Sequence, residues 1–248
     1  MLTAMRAARR PRSIMRPGSH ELRNMSQGFH LKPPQAYLRL CEIFSSQGGE
    51  PTAFRPHGEM TRVLAASRPG GVVLCLGGGA GEMGAWALGG MDLASRLVVV
   101  AQDEKEADML RPVFDDDLRV TVHVQDAAAF LGDVRDHRFD LITDLSPGQA
   151  AELSRLALGR LATGAFYMTR HSPAELTQML SAQDTAAGNQ ESALDPKQFF
   201  LAHLPGELDV TLIARGEHRM QAKRRGGRRG ARQGVTPLFS ARPRSAGD

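Results

Sequence analysis

Apolar residues arrive in this chain as short, nearly unbroken runs, and amphipathic stretches separate them. Val72–Leu76, Arg96–Ala101, Val120–Val124, Asp140–Thr143 and Ala165–Met168 read as strands. Nearly unbroken apolar runs are what a parallel sheet covered on both faces requires. Between them, Glu104–Phe114, Ala127–Val134 and Gln149–Leu161 read as helices, the last through an apolar stripe of Leu153, Leu156, Ala157 and Leu161. Ser172-Pro173-Ala174-Glu175 joins a capping box to proline at the first helical position, which predicts a helix starting there. A short helix over Gln198–Leu204 and a strand over Val210–Ile213 complete the alternation. Before the first strand, Tyr37, Leu40, Cys41 and Phe44 repeat at helical spacing within Ala36–Phe44, and Gly48-Gly49 closes that helix. A second helix runs from Gly58 to Ser67 and stops at Pro69-Gly70-Gly71. Such helices can cover a cofactor from above, but covering an edge of the sheet is the commoner role. The whole pattern predicts an α/β fold: a doubly wound, mostly parallel sheet in one domain, residues 34–214.

The first strand breaks straight into Gly77-Gly78-Gly79-Ala80-Gly81, and a helix follows. Glycines at this spacing let the chain turn tightly, bring the backbone against a ligand and pack the helix on the strand. A nucleotide-type cofactor pocket is the reading this supports. Ligands of doubly wound sheets sit at the carboxyl ends of the strands. Gln102 and Asp103 follow the second strand, Gln125 and Asp126 the third, Asp144 to Ser146 the fourth, and Thr169, Arg170 and His171 the fifth.

Charge divides the chain differently. Residues 1–20 hold five Arg and no acid, and residues 214–248 hold ten Lys or Arg against Glu217 and Asp248. The ends thus carry +5 and +8, so the chain's net +4 leaves −9 between them. The domain itself is acidic. A leader over residues 1–33 and a basic, Gly/Arg-rich tail over residues 215–248 are expected to be disordered. The leader's composition also fits an organelle transit peptide. In the tail, Lys223-Arg224-Arg225-Gly226-Gly227-Arg228-Arg229-Gly230 lacks aromatic residues, so it suits non-specific phosphate contact with nucleic acid without base stacking. Thr236–Ser240 could add an edge strand. Cys41 and Cys75 are the only cysteines, which gives no disulfide framework or zinc spacing and points to a reducing, cytoplasmic setting. No apolar run reaches the roughly 18 residues of a membrane span. A homodimer is left open.

The stretch from Val72 to Ile213 resembles the class I S-adenosylmethionine-dependent methyltransferases, and within them it is most similar to small-molecule O-methyltransferases. The resemblance rests on Gly77–Gly81 with Gly84-Ala85-Trp86, Gly90-Met91-Asp92, Arg96-Leu97-Val98, Asp126-Ala127-Ala128 with Phe130-Leu131, Phe139–Asp144, and Leu161-Ala162-Thr163-Gly164-Ala165-Phe166. It implies S-adenosylmethionine as cofactor. Gly77, Gly78, Gly79 and Gly81 would then hold its methionine part through backbone groups, and Asp126 and Ala127 would flank the adenine. Asp126 is equally a helix cap, and one carboxylate can serve both ends.

Departures from the pattern are as informative as the matches. Cys75 stands where the family carries an acid in the first strand, and Ala101 where a carboxylate would hold the ribose. Asp103, two residues on, can substitute or can simply cap the next helix. Asp144 matches the first of three oxygen ligands in the metal-dependent branch, but Thr169-Arg170 replaces the others and Pro147 replaces its lysine base. A lone carboxylate does not make a magnesium or calcium site, so no metal is expected. Asp144 and His171 remain as candidate bases for a protonated acceptor. Tyr167, Trp86 and Met91 read as packing residues. The glycine turn also resembles that of polyamine aminopropyltransferases, yet Asp144-Leu145-Ser146-Pro147 lacks the second aspartate of their D-x-x-D-P segment. The function expected is metal-independent O-methylation of a small hydroxyl-bearing molecule. RNA methylation aided by the tail, and a non-catalytic cofactor-binding protein, are the alternatives.

Overall fold

The computed structural model describes residues 31–48, 55–146, 151–181, 194, 198–205 and 208–216. The leader to residue 30, the tail from residue 217 and the Thr236–Ser240 strand lie outside these residues.

In chain order the elements are α1 Gln35–Ser46, α2 Arg55–Ala66, β1 Val72–Leu76, α3 Ala80–Leu88, β2 Arg96–Ala101, α4 Glu104–Phe114, β3 Val120–Val124, α5 Ala127–Asp133, β4 Phe139–Asp144, α6 Ala151–Gly159, β5 Leu161–Thr169, α7 Pro173–Ser181, β6 Phe199–Leu204 and β7 Val210–Arg215. The strands form one sheet in the order β3-β2-β1-β4-β5-β7-β6. β1 to β5 pair in parallel, and β7 runs antiparallel to both β5 and β6. The sheet is therefore doubly wound and mostly parallel, as the apolar runs predict.

Alternate strand positions feed two separate cores. Val73, Cys75, Leu97, Val99, Leu141 and Met168 join residues of α1 to α4 on one face. Leu74, Leu76, Val100, Ile142, Tyr167 and Ile213 join residues of α5, α6 and α7 on the other. Two-faced burial is why these strands carry so few polar residues.

Helix starts are set by local chemistry. Asp103 Oδ1 accepts from Glu106 N at 2.8 Å, and Asp126 Oδ1 accepts from Ala129 N at 2.9 Å, each satisfying one of the orphan amides of its helix. Before Pro173, Ser172 and Glu175 close the expected reciprocal capping box, with Ser172 N donating to Glu175 Oε2 at 2.7 Å and Glu175 N to Ser172 Oγ at 3.3 Å.

Three sequence expectations are corrected. α6 ends at Gly159, and Leu161 opens β5 instead, fully buried and paired with Phe139. Gln198–Leu204 contains a strand rather than a helix. Its apolar run Phe199-Phe200-Leu201 fits either state taken alone, and six register pairs with β7 decide the matter. Lastly, α1 and α2 cover a face beside α3 rather than a sheet edge: Leu40, Leu64 and Ala65 pack into the same core as Val73, Leu141 and Met168. α2 comes so close to α3 that a Cβ at Gly58 would stand 2.3 Å from the Trp86 ring. Trp86 and Met91 are buried, as packing residues should be. No helix among the described residues is long and apolar enough to cross a membrane.

Candidate functional site

Strand order reverses between β1 and β4: the chain leaves β1 toward β2 and β3, then crosses back to place β4 on β1's other side. A crevice opens outside the carboxyl ends at such a point. The residues there are the glycine turn after β1 and Asp144, which ends β4 in register with Leu76.

Gly77 and Gly79 hold φ of 69° and 88°, the left-handed region that a side chain enters only at a cost. The turn is locked by Ala80 N donating to Gly77 O at 3.0 Å and Met83 N donating to Gly79 O at 2.9 Å. Gly78 is exposed at the crest, and a Cβ built on it would meet within 4 Å only Ser146 Oγ, at 3.6 Å. Gly81 serves packing, since its Cβ would stand 2.2 Å from the Leu110 side chain of α4. The glycine pattern thus divides between a backbone cradle at Gly77–Gly79 and a helix contact at Gly81.

A chain of polar groups runs from that cradle into the protein. Gly78 N donates to Ser146 Oγ at 2.6 Å, and Ser146 N lies 3.3 Å from Asp144 Oδ1. The other carboxylate oxygen, Oδ2, accepts from Tyr167 Oη at 3.4 Å, and Tyr167 Oη lies 2.9 Å from Ser154 Oγ of α6. Asp144, Tyr167 and Ser154 are all fully buried. Burial pushes the Asp144 carboxyl up to about 6, against the opposing pull of hydrogen bonds from Ser146 and Tyr167. Burial and the neighbouring Asp144 also raise the Tyr167 phenol, so it stays protonated and able to donate.

His171 follows β5, next in line along the sheet. Its backbone N lies 3.3 Å from Thr169 Oγ1, and its Nδ1 is 3.8 Å from Glu175 Oε2. Its Nε2 is buried and finds no hydrogen-bond partner among the described residues. No hydrogen bond joins His171 to Asp144 among those residues.

The cofactor-side candidates lie farther out. Ala101 is fully buried and offers no polar atom at the end of β2. Asp103 is exposed and engaged as the α4 cap. Three residues on, Glu106 accepts from Gln102 N through Oε2 at 2.8 Å, and burial followed by the charge of Asp103 raises its carboxyl. The D-x-x-E spacing of Asp103 and Glu106 was the available signal for that carboxylate. Asp126 is exposed and caps α5, with Ala127 half-buried beside it. Cys75 on β1 is held as a neutral thiol by burial, which pushes it up to about 12. Among the described residues no three His, Cys, Asp or Glu side chains gather as a metal site would need.

The structure therefore brings together Gly78, Ser146 and Asp144, and leaves Asp103, Asp126 and His171 on separate strand ends. Ser146 stood among the strand-end residues of the sequence, whereas Ser154 and the hydroxyl of Tyr167 were not legible as site groups there.

No family model matches the sequence, and no curated protein matches it. Solved structures do match in fold. A methyltransferase from Geobacter sulfurreducens shares 17% identity over 81% of this chain and 98% of its own, with a TM-score of 0.59. The O-methyltransferase TomG of tomaymycin synthesis from Streptomyces achromogenes, solved with S-adenosylmethionine, shares 14% identity over 79% of this chain and 96% of its own, with a TM-score of 0.57. A Podospora anserina methyltransferase, PaMTH1, solved with S-adenosylhomocysteine, shares 19% identity over 83% of this chain and 99% of its own, with a TM-score of 0.57. The chain has the Rossmann-like fold of these methyltransferases.

Proposed function

We propose that this chain is an S-adenosylmethionine-dependent methyltransferase that methylates a hydroxyl of a small molecule without a metal ion. The observation carrying the reading is the juxtaposition of the left-handed Gly77–Gly79 turn with the buried Asp144 carboxylate at the strand-order reversal, in a fold shared with methyltransferases solved with this cofactor or its product.

The residues present fit the cofactor at one end better than at the other. Gly78 is exposed and a Cβ there would make only ordinary contact with Ser146 Oγ, although Ser146 Oγ must release the Gly78 N–H before a ligand can take it. Gly77, Gly78 and Gly79 would hold the methionine part, Asp103 the ribose in place of the absent carboxylate at Ala101, and Asp126 with Ala127 the adenine. Each cap carboxylate has a second oxygen available beyond its cap bond. When bound, S-adenosylmethionine supplies an electrophilic methyl group on a sulfonium.

The chain's own contribution is placement and proton handling. Holding an acceptor oxygen in line for displacement accounts for much of the acceleration in such transfers. Asp144, ionised above about pH 6, is matched to accept the hydroxyl proton near neutral pH. His171, with its buried Nε2 and with Glu175 beside Nδ1, is the second candidate for that proton.

Calorimetric titration of the full chain with S-adenosylmethionine, with and without magnesium or EDTA, tests the reading together with turnover to S-adenosylhomocysteine on a panel of phenols and catechols. Saturable heat in both buffers is expected, along with thermal stabilisation of about 2.7 kcal/mol at a hundredfold excess over Kd. Absence of heat and of a thermal shift at saturating ligand overturns it.

A further inference from the structure

We infer that Tyr167 is a positioning residue for Asp144, holding its carboxylate at the crevice through a buried line of donation that starts at Ser154. This inference rests on the reading of Asp144 as proton acceptor and adds Tyr167, which the sequence pattern assigns to packing alone, together with Ser154.

Geometry carries it. Tyr167 sits on β5, one strand from Asp144 on β4, on the face that α6 covers, and its register partner on β4 is Ile142. The ring belongs to the core, where apolar residues of similar size would pack as well. Its hydroxyl, however, lies between two buried polar groups: Ser154 Oγ at 2.9 Å and Asp144 Oδ2 at 3.4 Å. A carboxylate can only accept, so the phenol donates to Asp144, and the Ser154 hydroxyl is then the donor to Tyr167. Donation runs toward the carboxylate, from Ser154, joined by the Thr169 hydroxyl, through Tyr167 to Asp144. Ser146 N holds the opposite oxygen, so the carboxylate is gripped from both sides and its rotation is restricted.

This arrangement is costly as mere packing. Three fully buried polar side chains, two of them ionisable, replace positions that leucine or phenylalanine could fill. Buried networks of this kind fix orientation where a reaction needs it. The groups bearing on Asp144 from its surroundings are few. Tyr167 faces it from β5, where the neutral, buried Thr169 is its register partner; Ser146 faces it from its own loop, Leu76 is its apolar neighbour on β1, and α6 contributes the neutral Ser154. Tyr167 is thus the titratable neighbour through which the fold acts on this carboxylate.

The test compares the full-length chain with Tyr167→Phe and Ser154→Ala. Each keeps the buried shape and removes one hydroxyl. Two readouts are needed: the pH profile of kcat/KM, and the titration of the Asp144 carboxyl carbon by NMR. With Tyr167→Phe the acid limb and the carboxyl midpoint should move upward together, lowering kcat/KM about threefold to tenfold on that limb and restoring it at alkaline pH. Ser154→Ala should move both in the same direction by less, and KM for S-adenosylmethionine should stay within about twofold in each variant. An unmoved carboxyl midpoint, or an equal loss of activity at every pH, overturns the inference. If wild type shows no turnover, the proposed function fails while the NMR titration still decides the role of Tyr167.

Discussion

The two halves of the sheet meet at the β1–β4 boundary and supply opposite kinds of chemistry. On the β1–β3 side, strand ends contribute main chain: a glycine turn, a buried alanine at position 101, and aspartates already engaged as helix caps. On the β4–β7 side, the ends contribute side chains. Asp144, Thr169 and Thr211 form a register row across β4, β5 and β7, all buried, with Tyr167 and Ser154 behind Asp144. The difference teaches where selection of a ligand could act. A backbone cradle tolerates drift in side chains, because only glycine's conformational freedom is needed; a buried hydrogen-bonded carboxylate does not, because each partner lost leaves a desolvated group unsatisfied.

The largest expected effect falls on the side-chain half. Asp144→Asn should lower kcat by about 10²- to 10⁴-fold if the carboxylate accepts the acceptor's proton. The same change should stabilise the fold near neutral pH. The folded carboxyl titrates at about 6 against an ordinary value of 3.8. Through that window the unfolded chain gives up its proton first, so stability falls as pH rises and stays lower above it. Asparagine escapes the penalty, and about 1–3 kcal/mol should be regained at neutral pH, with no gain where the carboxyl is protonated in both states. Chemical denaturation at acid and neutral pH measures this. A destabilised, fully active variant would reverse the division between the halves.

Next comes the backbone half. Gly79→Ala places a Cβ at φ 88°, a strain of about 1–2 kcal/mol. Loss of stability of that size is expected, together with at least about a tenfold loss of S-adenosylmethionine affinity, since the turn must shift to relieve it. Differential scanning calorimetry and titration calorimetry give the two numbers. Affinity unchanged in a destabilised variant would mean the turn is structural and the cofactor cradle lies elsewhere.

Much of this was legible beforehand, and the limit has a physical cause. β1 and β2 match their apolar runs to the residue because both faces are buried, edge strand β3 matches through Val120 and Val122 facing the core, and α4 and the Ser172–Glu175 capping box follow from local chemistry, because burial and capping are written in neighbouring positions. Phe199–Leu204 was not legible as a strand, because its partner β7 decides its state from a segment beyond the next turn. The site divides in the same way. Glycines 77 to 79 announced a turn, and Asp144 stood out by its position at a strand end. Its controlling neighbours did not. Ser146 was named by its strand end, but it meets Gly78 across 68 positions of sequence, and Tyr167 meets Asp144 across 23, so no local pattern could give these pairings or single out the Tyr167 hydroxyl.

The smallest effect probes whether the β1–β3 half is served by main chain alone. Asp103 caps α4 through Oδ1 and stands at the end of β2 where no other carboxylate ends the strand. Asparagine is as good a cap as aspartate, whereas alanine forfeits about 1 kcal/mol. Asp103→Asn should therefore leave stability within about 0.5 kcal/mol. If the carboxylate also holds ribose hydroxyls, loss of its charge should weaken S-adenosylmethionine binding about threefold to tenfold, and Asp103→Ala should add the cap's cost on top. Titration calorimetry on both variants separates the roles. An asparagine variant that matches wild type in affinity as well as stability would leave Asp103 as a cap only, and the cofactor half would then act through its backbone and Asp126.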